Sequence, residues 1–366
     1  MVQSVLRRRL KKSSAGVGAV LAIGLSLAMP GAASKVKIEK NAPPPPPDLL
    51  LPEGRKLVFT RLFETDRDVE PKRGFFTKVF DTIVGAPDRH RAIRPYSIAV
   101  DSRGRVMVTD PGAMGVHLFD FPDHKYKFIT RHDKDENSLI SPQCVAVDAD
   151  DNFYVTDSES GRVFVYEPGG KFKRYIGALK GGEGYFKRPT GIAVDSAAQR
   201  IYVTDTLRDK VFVLDMKGEV LNSIGKKGTQ PGEFNFPTEI IVHGQELAVV
   251  DAMNFRVQVF DRDGKFKYSV GSLGDGLGSF FRPKGIGFDS EDHLYVVDAE
   301  WARVQVFDQQ GDLLYYFGMR GRAPGTFSLP AGLFIDHNDM VYVVDSYNSR
   351  VQVFHYFAKH EGSGGQ

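Results

Sequence analysis

One cysteine, Cys144, and one tryptophan, Trp301, serve a chain of 366 residues. A lone thiol excludes an internal disulfide, so stability has to come from a packed core. Cys144 lies in the apolar string PQCVAVD, where a buried, inert thiol is expected and a nucleophile is not. Past the first 34 residues the chain also lacks a surplus of positive charge. Five of its 48 Lys and Arg residues precede position 35, which leaves 43 against 46 Asp and Glu. That balance is not a nucleic-acid binder's. No apolar stretch reaches the ~20 residues a spanning helix needs. No G-x-S-x-G string, Cys/His dyad or phosphate-cradling loop before a helix is present, so the common signatures of covalent and phosphoryl chemistry are missing.

The N-terminus has the layout of an export signal. Arg7, Arg8, Arg9, Lys11 and Lys12 precede an uncharged run from Ala15 to Met29, and Gly31-Ala32-Ala33-Ser34 follows. Export to a periplasmic or extracellular location is expected, with retention through an uncleaved signal segment as the alternative. Pro43 to Pro47 then favour an extended spacer. The domain reading is a signal peptide over 1–34, a proline-rich linker over 35–53, repeats over 54–357 and a polar tail over 358–366.

The repeats are marked by Pro95, Pro142, Pro189, Pro237, Pro283 and Pro330, and again by Asp110, Asp157, Asp205, Asp251, Asp298 and Asp345. Each unit holds four short runs rich in Val, Ile, Tyr and Phe between turn residues. In the fifth unit these are GIGFD, LYVVD, RVQVFD and DLLYYFG. Four strands recurring with no helical period indicate propeller blades. The fold class is therefore all-β, a six-bladed β-propeller. The last unit stops after RVQVFHYF, while an unpaired β-run, RKLVFTRLF, precedes the first unit. Lys56 to Leu62 is predicted to complete the last blade and so remove an exposed edge. A short amphipathic helix is predicted over 74–86.

The strings P-x-G-I-A-V-D, I-Y-V-x-D and N-x-R-V-Q-V-F-D resemble the NHL repeat. The resemblance covers about Gly54 to Phe357 and implies a six-bladed ring. It leaves function open, because relatives include lyases, RNA binders and extracellular sensor domains. The amidating lyases of this kind hold a metal through histidines at the starts of inner strands. The matching positions here are Tyr96, Gln143, Thr190, Thr238, Lys284 and Ala331. Gluconolactonase-like propellers need convergent acids around the central opening. The corresponding positions are Ser97, Cys144, Gly191, Glu239, Gly285 and Gly332, with a single acid. His243, His293 and His337 stand at different offsets from their prolines and are read as turn residues. No cofactor or metal is expected.

Four further expectations concern side chains. The aspartate closing each second strand has a cation five residues on in five units, and those pairs are expected to tie the turn; Gly115 stands opposite Asp110 in the first. The glycines at 191, 285 and 332 are expected where inner strands crowd the axis. Glu239 and Lys284 are expected to pair across adjacent blades in the central opening. Finally, the turn after the aspartate is where the copies differ. Met253, Phe255, Trp301 and Tyr347 occupy it in three consecutive units, beside loops that carry Arg282, Lys284, Arg320 and Arg322. Aromatic residues beside arginine on loops over a rigid ring have the composition of a binding surface. The expected function is a monomeric, non-catalytic scaffold for a protein or cell-envelope polymer, not for nucleic acid and without a membrane span after signal cleavage. The alternative is a small-molecule hydrolase or lyase, gluconolactonase-like or amidating-lyase-like, using the central opening.

Overall fold

A computed structural model of the chain describes residues 44–69, 90–130, 138–177 and 184–359. The chain divides into two units, Met1–Ala42 and Pro43–Gln366, and the first lies outside the described residues. So do the signal segment, the predicted helix over 74–86 and the end of the polar tail.

Six antiparallel sheets form a ring, each running outward from an inner strand. In the fourth blade the strands are Pro237–His243, Glu246–Asp251, Arg256–Asp261 and Phe266–Val270. Contacts between neighbouring inner strands pass from blade to blade and return to the first. The two middle strands of each blade are almost wholly buried, while outer strands alternate between inward and outward residues. The core is therefore six layers between adjacent blades. Val249 and Phe260 of blade four, for example, pack with Tyr202 and Val213 of blade three.

The ring closes as the sequence predicts, and slightly further. Lys56–Phe63 pairs antiparallel with Arg350–Phe357 and supplies the missing outer strand. Leu49 and Leu50 then pair with Leu57 and Lys56, so the sheet takes a fifth strand from residues the sequence reading assigned to the linker.

Two local devices follow from the repeat. Glycines 225, 271 and 318 end the outer strands at φ of 81°, 86° and 89°, and a Cβ there would meet the ring of Phe234, Phe280 or Phe327 within 2.4 Å. Those phenylalanines are fully buried, so each connector is stapled onto the blade it leaves. The repeated aspartate is a backbone cap. Asp298 accepts the N–H groups of Phe281 and Arg282 at 3.0 and 3.1 Å, just before the anchor proline, and Asp110, Asp157 and Asp205 do the same in their blades. This corrects the expected turn pairs. Asp251–Arg256 and Asp345–Arg350 form ion pairs at 2.9 and 2.8 Å, but Arg162, Lys210 and Arg303 reach no such partner. Once the carboxylate is saturated by buried backbone donors, the cation is optional. In blade one, His117 replaces the cation, 3.2 Å from Asp110.

Candidate functional site

The sequence points to two places, the central opening and the rim of one face. They differ in what they can do.

At the axis, the inner strands carry a β-bulge after the proline, between Pro142 and Val145 in blade two and Pro237 and Ile240 in blade four. A bulge re-aims the side chains it contains. Here these are Gln143 and Cys144, and Thr238 and Glu239. Glu239 Oε1 lies 2.9 Å from Cys144 Sγ, two blades away, and Ser97 Oγ donates to the same sulfur at 3.4 Å. Gly191, in the blade between, permits this reach, since a Cβ there would stand 2.9 Å from the Cα of Glu239. The expected Glu239–Lys284 ion pair does not form. Lys284 Nζ instead donates to the Tyr96 hydroxyl at 3.2 Å and lies over that ring.

Burial pushes the Glu239 carboxyl up to about 7, and the hydrogen bonds from Cys144 and the Ile240 N–H, with the attraction of Lys284, offset this only in part. The Cys144 thiol, 3 % exposed, is also pushed upward by burial and by Glu239. A thiol held protonated is a poor nucleophile. The opening lined by Tyr96, Thr238, Glu239, Lys284, Gly285, Ala331 and Gly332 has no room for a water-sized sphere. Its side chains leave little open space at that part of the axis.

The three histidines do not meet. His243 Nε2 is 2.6 Å from Asp292 and stacks on Phe288, His293 Nδ1 is 2.9 Å from Asp289, and His337 faces Asn338. Among the described residues no three His, Cys, Asp or Glu side chains converge in a way that could hold a metal ion. Nor is any helix among them long and apolar enough to cross a membrane.

The rim is different. The turn after each capping aspartate closes on a left-handed residue in every blade: Met114, Gly161, Asp209, Phe255, Ala302 and Ser349. Residues before that point are tipped outward. Trp301 is 41 % exposed, Tyr347 60 % and Met253 53 %. Phe255 departs from expectation, being half-buried with its ring 6.4 Å from that of Phe281. Arg282, Arg320 and Arg322 are exposed on the connectors of this same face. Arg320 donates to the Glu300 carbonyl at 2.6 Å and Arg303 lies under Trp301, so cations and aromatics are interleaved. Lys284 belongs to the central opening, not to this rim.

The sequence reading missed part of the surface. Leu273, Leu277, Phe281 and Met319, all exposed, sit on the connectors into blades five and six. A Gly-rich loop with isolated apolar residues gives no periodic signal, and only the fold brings them beside the turns. Tyr347, Arg322, Arg91 and Ile93 line a cleft at the seam of blades six and one, with a volume of about 540 Å³.

The chain is a six-bladed β-propeller that contains NHL repeats. A family model described as a 6-bladed beta-propeller matches residues 192–257 and 240–300, and the NHL repeat model matches 139–166 and 327–354. Solved structures share the fold at low identity. A protein of unknown function from Bacteroides thetaiotaomicron is 19 % identical, with a TM-score of 0.57 over 73 % of this chain and 70 % of that one. An auxiliary nutrient binding protein from the same organism is 15 % identical, with 0.56 over 72 % and 69 %. A catalytically inactive virginiamycin B lyase from Staphylococcus aureus, with quinupristin, is 15 % identical, with 0.52 over 72 % and 94 %. No curated protein matches the sequence.

Proposed function

We propose that this propeller is a non-catalytic docking scaffold, exported to the cell envelope, whose loop face engages a macromolecular partner of that compartment, in the first instance a protein or polymer. The observation that carries this reading is the distribution of exposed apolar side chains. Of eighteen large hydrophobic residues exposed among the described ones, twelve lie on the connectors and aspartate turns of this one face, and the other six lie on outer strands. The turns of the opposite face have none. Large apolar residues gathered on one face of a rigid ring, with arginine between them, mark a surface that is covered in use.

Catalysis at the axis is the weaker reading. Both enzyme readings place the chemistry at the central opening, and here Glu239 is engaged with Cys144 and Lys284 with Tyr96. The signal-like N-terminus supports export. Capture from a detergent extract of the envelope, with wild type and a Trp301→Ala/Tyr347→Ala variant, tests the scaffold reading. Loss of a partner from the variant is expected. Equal recovery of every partner by both proteins removes the loop face from consideration. A divalent ion bound stoichiometrically to purified protein would return the axis to contention.

A further inference from the structure

We infer that the loop face docks on an anionic lipid surface. The inference rests on the reading of this face as the docking face, and it puts a lipid surface in place of the protein or polymer.

Three features point to a bilayer. The exposed apolar residues are spread over the turns and connectors of several blades and are not gathered in one pocket: Met114 in blade one, Leu207 in blade three, Met253 in blade four, Trp301 in blade five, Tyr347 at the cleft of blade six, and Leu273, Leu277 and Phe281 together on the connector into blade five. A protein partner would need a matching hollow for each tip. A lipid surface needs none, because it deforms around each tip. Trp and Tyr favour the level of the headgroups, and Leu, Met and Phe the layer just beneath. This face presents both classes.

The second feature is charge. In the described turns and connectors of the loop face, Lys and Arg outnumber Asp and Glu, and Lys226, Lys227, Arg282, Arg320 and Arg322 are exposed there. In the turns of the opposite face, acids outnumber cations more than two to one. The molecule is thus polarised through its thickness, apolar and basic on one side and acidic on the other. An anionic surface attracts the first and repels the second, which fixes orientation without a specific lock.

The third is the path of the chain. Leu49–Leu50 runs away from the loop face, and Pro46, just before it, stands where a Cβ on Gly325 would meet its ring at 2.7 Å. Gly325 lies on the connector into blade six. The proline-rich segment therefore enters the propeller on the basic, apolar side.

Trp301, the only tryptophan in the chain, sits on this face and reports on it directly. The test mixes the full chain with vesicles of phosphatidylcholine alone or with phosphatidylglycerol added. Expected with the anionic vesicles are a blue shift of Trp301 emission, quenching by bromine-labelled lipid, and loss of both as salt is raised. Arg320→Glu/Arg322→Glu, two exposed positions, should weaken vesicle affinity by about tenfold or more while its melting matches the wild type. Insertion of the N-terminal segment alone cannot mimic this, because those substitutions do not touch it. Trp301 emission unchanged by either vesicle overturns the inference, as does quenching that is equal in the charge-reversed variant. If emission is unchanged while envelope capture still depends on Trp301 and Tyr347, the partner is a protein or polymer and the lipid assignment alone falls.

Discussion

Arg55 grips Glu291 with one edge of its guanidinium, Nε to Oε2 at 2.8 Å and Nη2 to Oε1 at 3.0 Å. Arg55 immediately precedes the closing strand Lys56–Phe63, Glu291 lies in the first turn of blade five, and the Tyr356 hydroxyl of blade six donates to the same carboxylate. One ion pair therefore joins the closing strand to the blade beyond the one it completes. Bidentate geometry is the strong form of such a pair, although partial exposure of both side chains reduces its worth.

Closure should then be sensitive to Arg55 and to acid. Arg55 holds the Glu291 carboxyl down to about 2 from an ordinary 4.5. The pair's stabilisation is full above about 4.5 and is lost as pH falls towards 2. Arg55→Ala is expected to lose about 1–2 kcal/mol at neutral pH, and less under acid. Denaturant melts across that range read both effects, and a parallel acid slope in the variant would contradict them. Removing residues 54–64 takes away the whole strand and should abolish cooperative melting.

Glu239 gives the opposite sign. Its folded carboxyl titrates near 7 and its unfolded one near 4.5, so its contribution is full below the lower value and declines as pH rises through the upper. Glu239→Gln should flatten the wild-type loss of stability between about pH 5 and about pH 8. Cys144 should resist thiol reagents until the protein unfolds. Rapid modification of native protein would mean that the axis is open.

The blades differ in how they lock at the axis. Thr204 Oγ1 accepts the bulged Gly191 N–H at 2.6 Å and donates to the Thr238 carbonyl of the next blade at 3.2 Å. Thr109 and Thr156 act likewise, whereas blades four to six carry Val250, Val297 and Val344. Thr204→Val keeps the shape and strands a buried donor, at a cost of about 1–3 kcal/mol. An unchanged melting midpoint would show that the valine blades' arrangement serves equally well.

The ring and its closure were legible in the sequence because both depend on spacing, in prolines and aspartates that recur and a strand surplus at one end matching a deficit at the other. The partners of the charges were less legible. Asp157 does face Arg162 across its turn, but its carboxylate is already occupied by the N–H groups of Ile140 and Ser141, which no side-chain pattern announces. Glu239 lines the axis, and its partner is Cys144 where the sequence suggests Lys284. Its reach to Cys144 depends on the bulges of two blades and on the missing side chain at Gly191 between them. At the rim, Trp301 and Tyr347 stand out by residue type, whereas Leu273 and Met319 become neighbours of the site only through the fold.

Which face does the binding can be measured in one experiment. A photo-crosslinking amino acid is placed singly at Trp301 and Tyr347 on the loop face, and at His337 and Gln309 on the opposite face. Each protein is irradiated with intact envelope material. The account predicts discrete adducts, with protein, polymer or lipid, from positions 301 and 347 and none above background from 337 and 309. Adducts arising chiefly from the opposite face, or equally from both, would contradict it.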